Sequence, residues 1–190
     1  MSITLKSAQS IFSNTLIADA VPATTAAFDK LSVEDQLASL WYAYTEMGIT
    51  ITPAATGSAS MALAQPLLDQ IKAMQPSEQT QVMTDLAMHN DTPICRSYTA
   101  FRMNTKLGFW YELGQMMKQG LVAPIPAGYT ASPDAVAVLE SIKQLDAGQQ
   151  ITVLRNTVVN MGYDPARGQD YDKREEIGRA SCRERVLMPV

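Results

Sequence analysis

NTKLGFWYELGQMMKQGLVAPIPAGY, residues 104–129, opens on a residue able to cap a helix, Asn104, and meets a stop signal at Gly120. Read as a helix, it sets Leu107, Trp110, Leu113, Gly114, Met117 and Leu121 three and four residues apart, on one face. That face carries a flat aromatic, a missing side chain and a pliable thioether. Glycine inside a helix costs about 1 kcal/mol relative to alanine, so a bare patch beside a tryptophan predicts a flat guest lying against it. The same spacing also suits an ordinary buried core, with the indole N–H satisfied internally.

A second stripe resembles the first. Ser32 is a good helix cap, Glu34 and Asp35 suit the positive end of the dipole, and the helix it opens is expected to run to Gly48. It presents Leu37, Leu40, Trp41, Tyr44 and Gly48 on one side, so each of the chain's two tryptophans sits in an apolar helical stripe. The following ITITPAATG alternates like a strand, but Pro53 and Gly57 predict a loop.

The remaining pattern is helical throughout. Short amphipathic segments are expected at 4–14 and 23–31, and a longer one at 58–74 that Pro66 should break or kink. Further helices are predicted from Ser77 to Met88, from Thr92-Pro93 toward residue 104, and from Ser132-Pro133. That last one turns Ala135, Val138, Leu139, Ile142 and Leu145 inward. Gly148 is read as the break before a final helix, Gln149–Met161, closed by Gly162. Many amphipathic helices on short loops give an all-α bundle.

The 190 residues, 46% hydrophobic, suffice for one domain or two closely packed subdomains. The reading divides them into a globular body, 1–165, and a tail, 166–190, taken as added in cloning or disordered. Without the tail's six basic and five acidic residues the body charge is -5, against -4 for the whole chain. Such acidity excludes a nucleic-acid binder, which needs cationic surplus. No apolar run approaches the roughly 20 residues of a membrane span, and a soluble intracellular protein is expected.

Chemistry is sparse. There is no phosphate-binding glycine loop and no GxSxG elbow. Two cysteines and one histidine supply neither a disulfide framework nor a His-ligated metal centre. Glu34, Asp35, Glu46 and Glu112 read as caps and solvated faces, His89 as a helix-end cation, and Cys95 as a small core residue. The expectation is no enzyme, no catalytic residue and no metal. Eleven methionines are plentiful, and thioethers suit a site shaped around an elongated guest as well as plain core. Arg155 falls at the rim of an apolar helix face, either snorkelling or as a fixed cation paired with an acid, with Asn104 beside it.

WYAYTEMGITITPAA, NDTPICRSY, KLGFWYELGQMMKQGLVAPIPAGY and GQQITVLRNTVVNMGYDP closely resemble the amino-terminal domain of the cyanobacterial orange carotenoid protein, in register to about Asp164. Gln115, Met116 and Thr84 depart from its pattern and favour a helical carotenoid protein, the stand-alone paralogue of that domain, over an excised domain. The resemblance implies two interleaved four-helix subdomains with a keto-carotenoid (canthaxanthin, echinenone or 3'-hydroxyechinenone type) threaded between them. Residues matching the family's pigment contacts are Leu37, Trp41, Tyr44, Gly57, Met61 and Met83, then Trp110, Gly114, Met117, Ile125 and Tyr129. Leu40, Leu107, Tyr111 and Pro126, their neighbours on the same faces, complete the expected site. A carotenoid is about as long as a 20-residue helix, roughly 30 Å, so its tunnel should cross the domain.

The implied function is photoprotection without a chemical step, by quenching singlet oxygen and, as a further expectation, phycobilisome excitation. The alternatives are a carrier exchanging pigment with a carboxy-terminal-domain homologue, or a colourless helical interaction module. Arg155 matches a partner-facing position of the family, and Asn104 is expected beside it at the same partner interface. The implied location is cytoplasmic, against phycobilisomes at the thylakoid surface.

Overall fold

The computed structural model describes residues 15–58, 61–126 and 128–166, and the side chains of all of these except 15–19 and 46–58. The helix expected at 4–14 and nearly all of the tail lie outside them. Among the described residues the protein has eight helices and no strand: α1 (Thr15–Phe28), α2 (Val33–Ser58), α3 (Met61–Lys72), α4 (Pro76–Ala87), α5 (Pro93–Thr99), α6 (Met103–Lys118), α7 (Pro133–Gln144) and α8 (Ala147–Val159).

Local chemistry sets most of the boundaries. Ser32 Oγ accepts from the Asp35 amide at 3.2 Å, Thr92 from that of Cys95 at 3.1 Å and Ser132 from that of Ala135 at 3.1 Å. Pro93 and Pro133 follow two of these caps at the first helical position, where a missing N–H costs nothing. Gly120 leaves α6 at φ +70° and Gly162 follows α8 at φ +86°.

Other boundaries correct the sequence reading. ITITPAATG is no loop, since α2 continues through it to Ser58 rather than ending at Gly48. The segment read as 23–31 is the end of a longer helix that carries Pro22 inside it. Pro66 does not break α3 either, because Leu67 and Leu68, buried immediately after it, hold the helix on the core. Asn104 is not a cap: α6 starts at Met103 behind Arg102. Helix α4 begins at Pro76, before Ser77, where the Gln75 amide donates to Glu78 Oε2 at 2.9 Å. Nor does Gly148 separate helices. Asp146 and Gln149 cap each other's amides at 2.9 and 3.0 Å and start α8 at Ala147.

The packing divides the helices into two groups. Helix α1 lies on α7 and α8, which α2 also touches; α3, α4 and α5 pack together with α6. The long helices α2 and α6 meet each other, and α6 reaches across to α8. One group is thus drawn from both ends of the chain and the other from its middle, which is the interleaved two-subdomain bundle. Phe28, Leu40, Tyr44, Leu68, Ile71, Leu86, Tyr98, Phe109 and Ile142 lie at 2% exposure or less in the joint core.

Candidate functional site

Where α2 and α6 meet, they leave a chamber of about 140 Å³, closed on its other sides by α4 and by the chain after Gly120. Helix α2 supplies Leu37, Ala38, Leu40, Trp41 and Tyr44 to its wall. Helix α6 supplies Trp110, Leu113, Gly114 and Met117, and α4 supplies Thr80, Met83 and Thr84. Ala123, Pro124, Ile125, Pro126 and Tyr129 form the outer wall. Glu34, Thr80, Pro124 and Pro126 are exposed at the rim, so the chamber opens to solvent there.

The two indoles are held differently. Trp110, 4% exposed, donates its N–H to the Tyr98 hydroxyl at 2.9 Å. Trp41 packs edge-on to Tyr42, with ring centroids 5.0 Å apart, and its buried N–H has no partner among the described residues. Tyr44 reaches past Trp110 to the Leu107 carbonyl at 3.4 Å, and burial pushes its phenol well above the ordinary range. Gly114 is where α2 and α6 approach: a Cβ added there would meet Tyr44 Cβ at 3.5 Å. The bare patch inferred beside Trp110 is therefore shared between the chamber and Tyr44.

The expected residues separate into two sets. Leu37, Leu40, Trp41, Tyr44, Met83, Trp110, Gly114, Met117, Ile125, Pro126 and Tyr129 come together around the chamber. Leu107 and Tyr111 do not reach it; they stand behind Tyr44, Leu107 through its carbonyl and Tyr111 edge-on at 6.4 Å. Met61 packs partly buried against the core, away from the chamber, and the surroundings of Gly57 fall outside the described side chains. Leu121, placed by its spacing on the α6 face, lies past the helix end and is 39% exposed. Thr80, Thr84 and Ala123 line the chamber although the sequence reading left them out of the site. Thr80, Met83 and Thr84 share one helical face, a signal that the focus on aromatics passed over.

Asp35 is not a solvated carboxylate. It is 9% exposed and accepts from the Tyr129 hydroxyl and, at 3.3 Å, from the Ser132 amide. The Tyr129 bond holds its carboxyl below the usual carboxylate range, against the burial that raises it. Arg155 is half-buried, and its Nε has no hydrogen-bond partner; the acid it was expected to pair with is absent among the described residues. Asn104 is half-buried on α6, which packs against the helix bearing Arg155. His89, in the left-handed region at φ 58°, sets Nδ1 3.2 Å from the Gly162 carbonyl, and Cys95 is fully buried as expected. Among the described residues, no group of three His, Cys, Asp or Glu could hold a metal, and no helix is long and apolar enough to cross a membrane.

A chamber of this size takes a single ring, since a cavity of about 150 Å³ holds one benzene. Stacking faces and methylene walls suit the end of a flat apolar molecule.

The family described as orange carotenoid protein, N-terminal, matches residues 14–164. This chain belongs to that family. It is 60% identical over 163 residues to the orange carotenoid-binding protein of Synechocystis sp., covering 86% of this chain and 51% of that relative. It thus spans about half the length of that curated protein. Its fold superposes on the orange carotenoid protein of Anabaena (Nostoc) sp. PCC 7120 binding canthaxanthin, with a TM-score of 0.72, 63% identity, and 86% and 53% of the two chains covered. The Red Carotenoid Protein of the same organism, also binding canthaxanthin, matches with a TM-score of 0.68 at 35% identity, over 76% of this chain and 99% of its own. The eight-helix, two-group bundle is the fold that the resemblance implied.

Proposed function

We propose that the chamber receives one end ring of a keto-carotenoid and that the protein serves photoprotection by quenching singlet oxygen. The observation that carries this is the ring-sized apolar space bounded by both indoles, in a family whose solved relatives bind canthaxanthin. Ring burial drives the association, at about 25 cal/mol per Å² of apolar surface removed from water. The conjugated polyene accepts excitation and releases it as heat; the chain's part is to hold, orient and expose it. Trp110, fixed through Tyr98, offers one stacking face, and Pro124-Ile125-Pro126 offer a stiff opposite wall.

One visible spectrum tests the reading. Protein made in canthaxanthin-producing cells should elute coloured, and the coloured form should shorten singlet-oxygen lifetime more than the apoprotein does. Colourless protein from such cells refutes it.

A carrier role is the second reading. A pigment roughly 30 Å long exceeds a ring-sized chamber, so much of it stays open to handover. Arg155, with no acid on it among the described residues, and Asn104 nearby would face the receiving partner, a carboxy-terminal-domain homologue, or a phycobilisome. Colour transfer to an added apo homologue supports the carrier; phycobilisome fluorescence that stays constant at saturating protein removes antenna quenching.

A further inference from the structure

The outer wall of the chamber is chain between α6 and α7, and its two ends are fastened unlike one another. At the near end Gln79, 3% exposed on α4, accepts from the Ala123 amide at 2.7 Å and donates to the Leu121 carbonyl at 3.3 Å. The same amide donates to the Ile71 carbonyl at 3.1 Å, tying the wall to α3 as well. Val122, 1% exposed, is seated in the core beside it. At the far end the tie is the Tyr129 hydroxyl on the Asp35 carboxylate, with the Ser132 amide on the same oxygen. Between them Pro124 and Pro126 have no N–H to give, and among the described residues Ile125 has no hydrogen bond to any helix.

The difference lies in what must break. Freeing the near end strands several buried backbone and amide groups and withdraws Val122 from the core. At the far end, turning one phenol side chain out to water suffices, and both freed groups are re-solvated there. Asp35 stands on α2 two residues before Leu37, on the side of the chamber where Glu34 marks the rim. Release at Asp35 would therefore widen the mouth along α2, next to Trp41.

We propose that Ala123–Pro126 and Tyr129 form a door over the chamber, hinged at Gln79 and latched at Asp35, and that the guest's ring enters and leaves when Tyr129 lets go of Asp35. Asp35 and Gln79 are positioning residues, acting through the wall they hold. The identity of the guest rests on the carotenoid reading; the door does not.

The test has two arms. Hydrogen exchange on the apoprotein reads the door without pigment: Asp35→Asn and Tyr129→Phe should each raise exchange at the residue 129 amide, which donates to the Pro126 carbonyl at 2.9 Å, about tenfold, the loss of one charge-assisted bond. The Ala123 amide, held by Gln79, should stay as protected as before. Unchanged exchange at the residue 129 amide in both variants overturns the door. The second arm mixes apoprotein with phosphatidylcholine vesicles carrying canthaxanthin and follows uptake, then release to pigment-free vesicles, by visible absorbance. Both rates should rise together, about tenfold, in either variant. Faster release with unchanged uptake would make the pair a plain pocket contact and overturn the latch. If the wild-type protein takes up no canthaxanthin, the pigment reading fails, and the exchange arm still decides the door.

Discussion

The Trp110 indole donates to the Tyr98 hydroxyl at 2.9 Å, and that hydroxyl donates onward to the Val158 carbonyl at 2.8 Å. One phenol thus fixes an indole on the chamber wall to the end of α8, in the other helix group. Tyr98 is itself fully buried, packed edge-on against Phe109 at 5.2 Å.

Tyr98→Phe keeps the ring and removes the relay, leaving the buried Trp110 N–H unpaired, while the Val158 carbonyl keeps the Met161 amide at 3.3 Å. That orphan costs about 1–3 kcal/mol, so the variant should melt lower by roughly 2–12 °C. Calorimetry of wild type and variant checks it. A shift under one degree would mean that water or a rearranged side chain replaces the phenol.

The two glycines of positive φ separate packing from backbone strain. At Gly162 an added Cβ would lie 2.6 Å from Thr99 Oγ1, 2.8 Å from Tyr98 Cδ1 and 2.9 Å from the Cys95 carbonyl. At Gly120 nothing stands within 4 Å. Gly120→Ala should therefore cost only the left-handed penalty, about 1–2 kcal/mol. Gly162→Ala carries the same penalty plus displacement of three groups around Tyr98, and should cost more than twice as much. Urea midpoints compare them directly; equal losses would show that the Gly162 surroundings yield easily.

How far the sequence revealed this arrangement depended on whether its signals were local. Caps such as Ser32, Thr92 and Ser132 and the stop at Gly120 act within three or four residues, and they stand where the pattern put them. Proline misled the reading at Pro53, through which α2 continues, and at Pro66, where a lost helix bond was weighed without the buried Leu67 and Leu68 that outweigh it. The two Trp stripes correctly brought Trp41, Tyr44, Trp110 and Gly114 together, since each lies on one helix face and the two long helices meet. Helical spacing could not tell the wall from the layer behind it: Leu107 and Tyr111 share the helix but stand beyond Tyr44. Asp35 looked like a dipole-complementing acid, because its partners Tyr129 and Ser132 lie more than ninety residues away.

Gly114 allows a test in which stability and pigment binding move oppositely. Its Cβ would make ordinary contact with Tyr44 at 3.5 Å, so Gly114→Ala meets no clash and gains helix propensity, up to about 1 kcal/mol. The added methyl nevertheless takes space from a chamber of about 140 Å³. The variant should melt at or above the wild-type temperature and retain less canthaxanthin after gel filtration. Full pigment retention would place the ring away from the α2–α6 contact.

The Asp35–Tyr129 tie also sets a pH window for stability. The hydroxyl's hydrogen bond holds the Asp35 carboxyl below its unfolded value near 3.9, outweighing desolvation. The unfolded chain therefore takes up this proton first as pH falls, so the contribution is complete above about 4 and is lost through the lower folded value. Burial, and then Asp35 itself, hold the Tyr129 phenol above its unfolded value near 10, with Tyr42 and Glu34 adding negative character nearby. That contribution is complete below about 10 and is lost as pH rises toward the folded value. Urea midpoints should form a plateau between these limits and fall on both sides. Asp35→Asn removes the acid limb that this carboxyl supplies and softens the alkaline one, because a neutral amide no longer opposes ionisation of the phenol. Tyr129→Phe abolishes its own alkaline limb and weakens the acid one, since the carboxyl loses its strongest donor. An Asp35→Asn profile that runs parallel to wild type below pH 4 would show that the carboxyl's proton is indifferent to folding, and that the tie contributes nothing to the stability of the wall it spans.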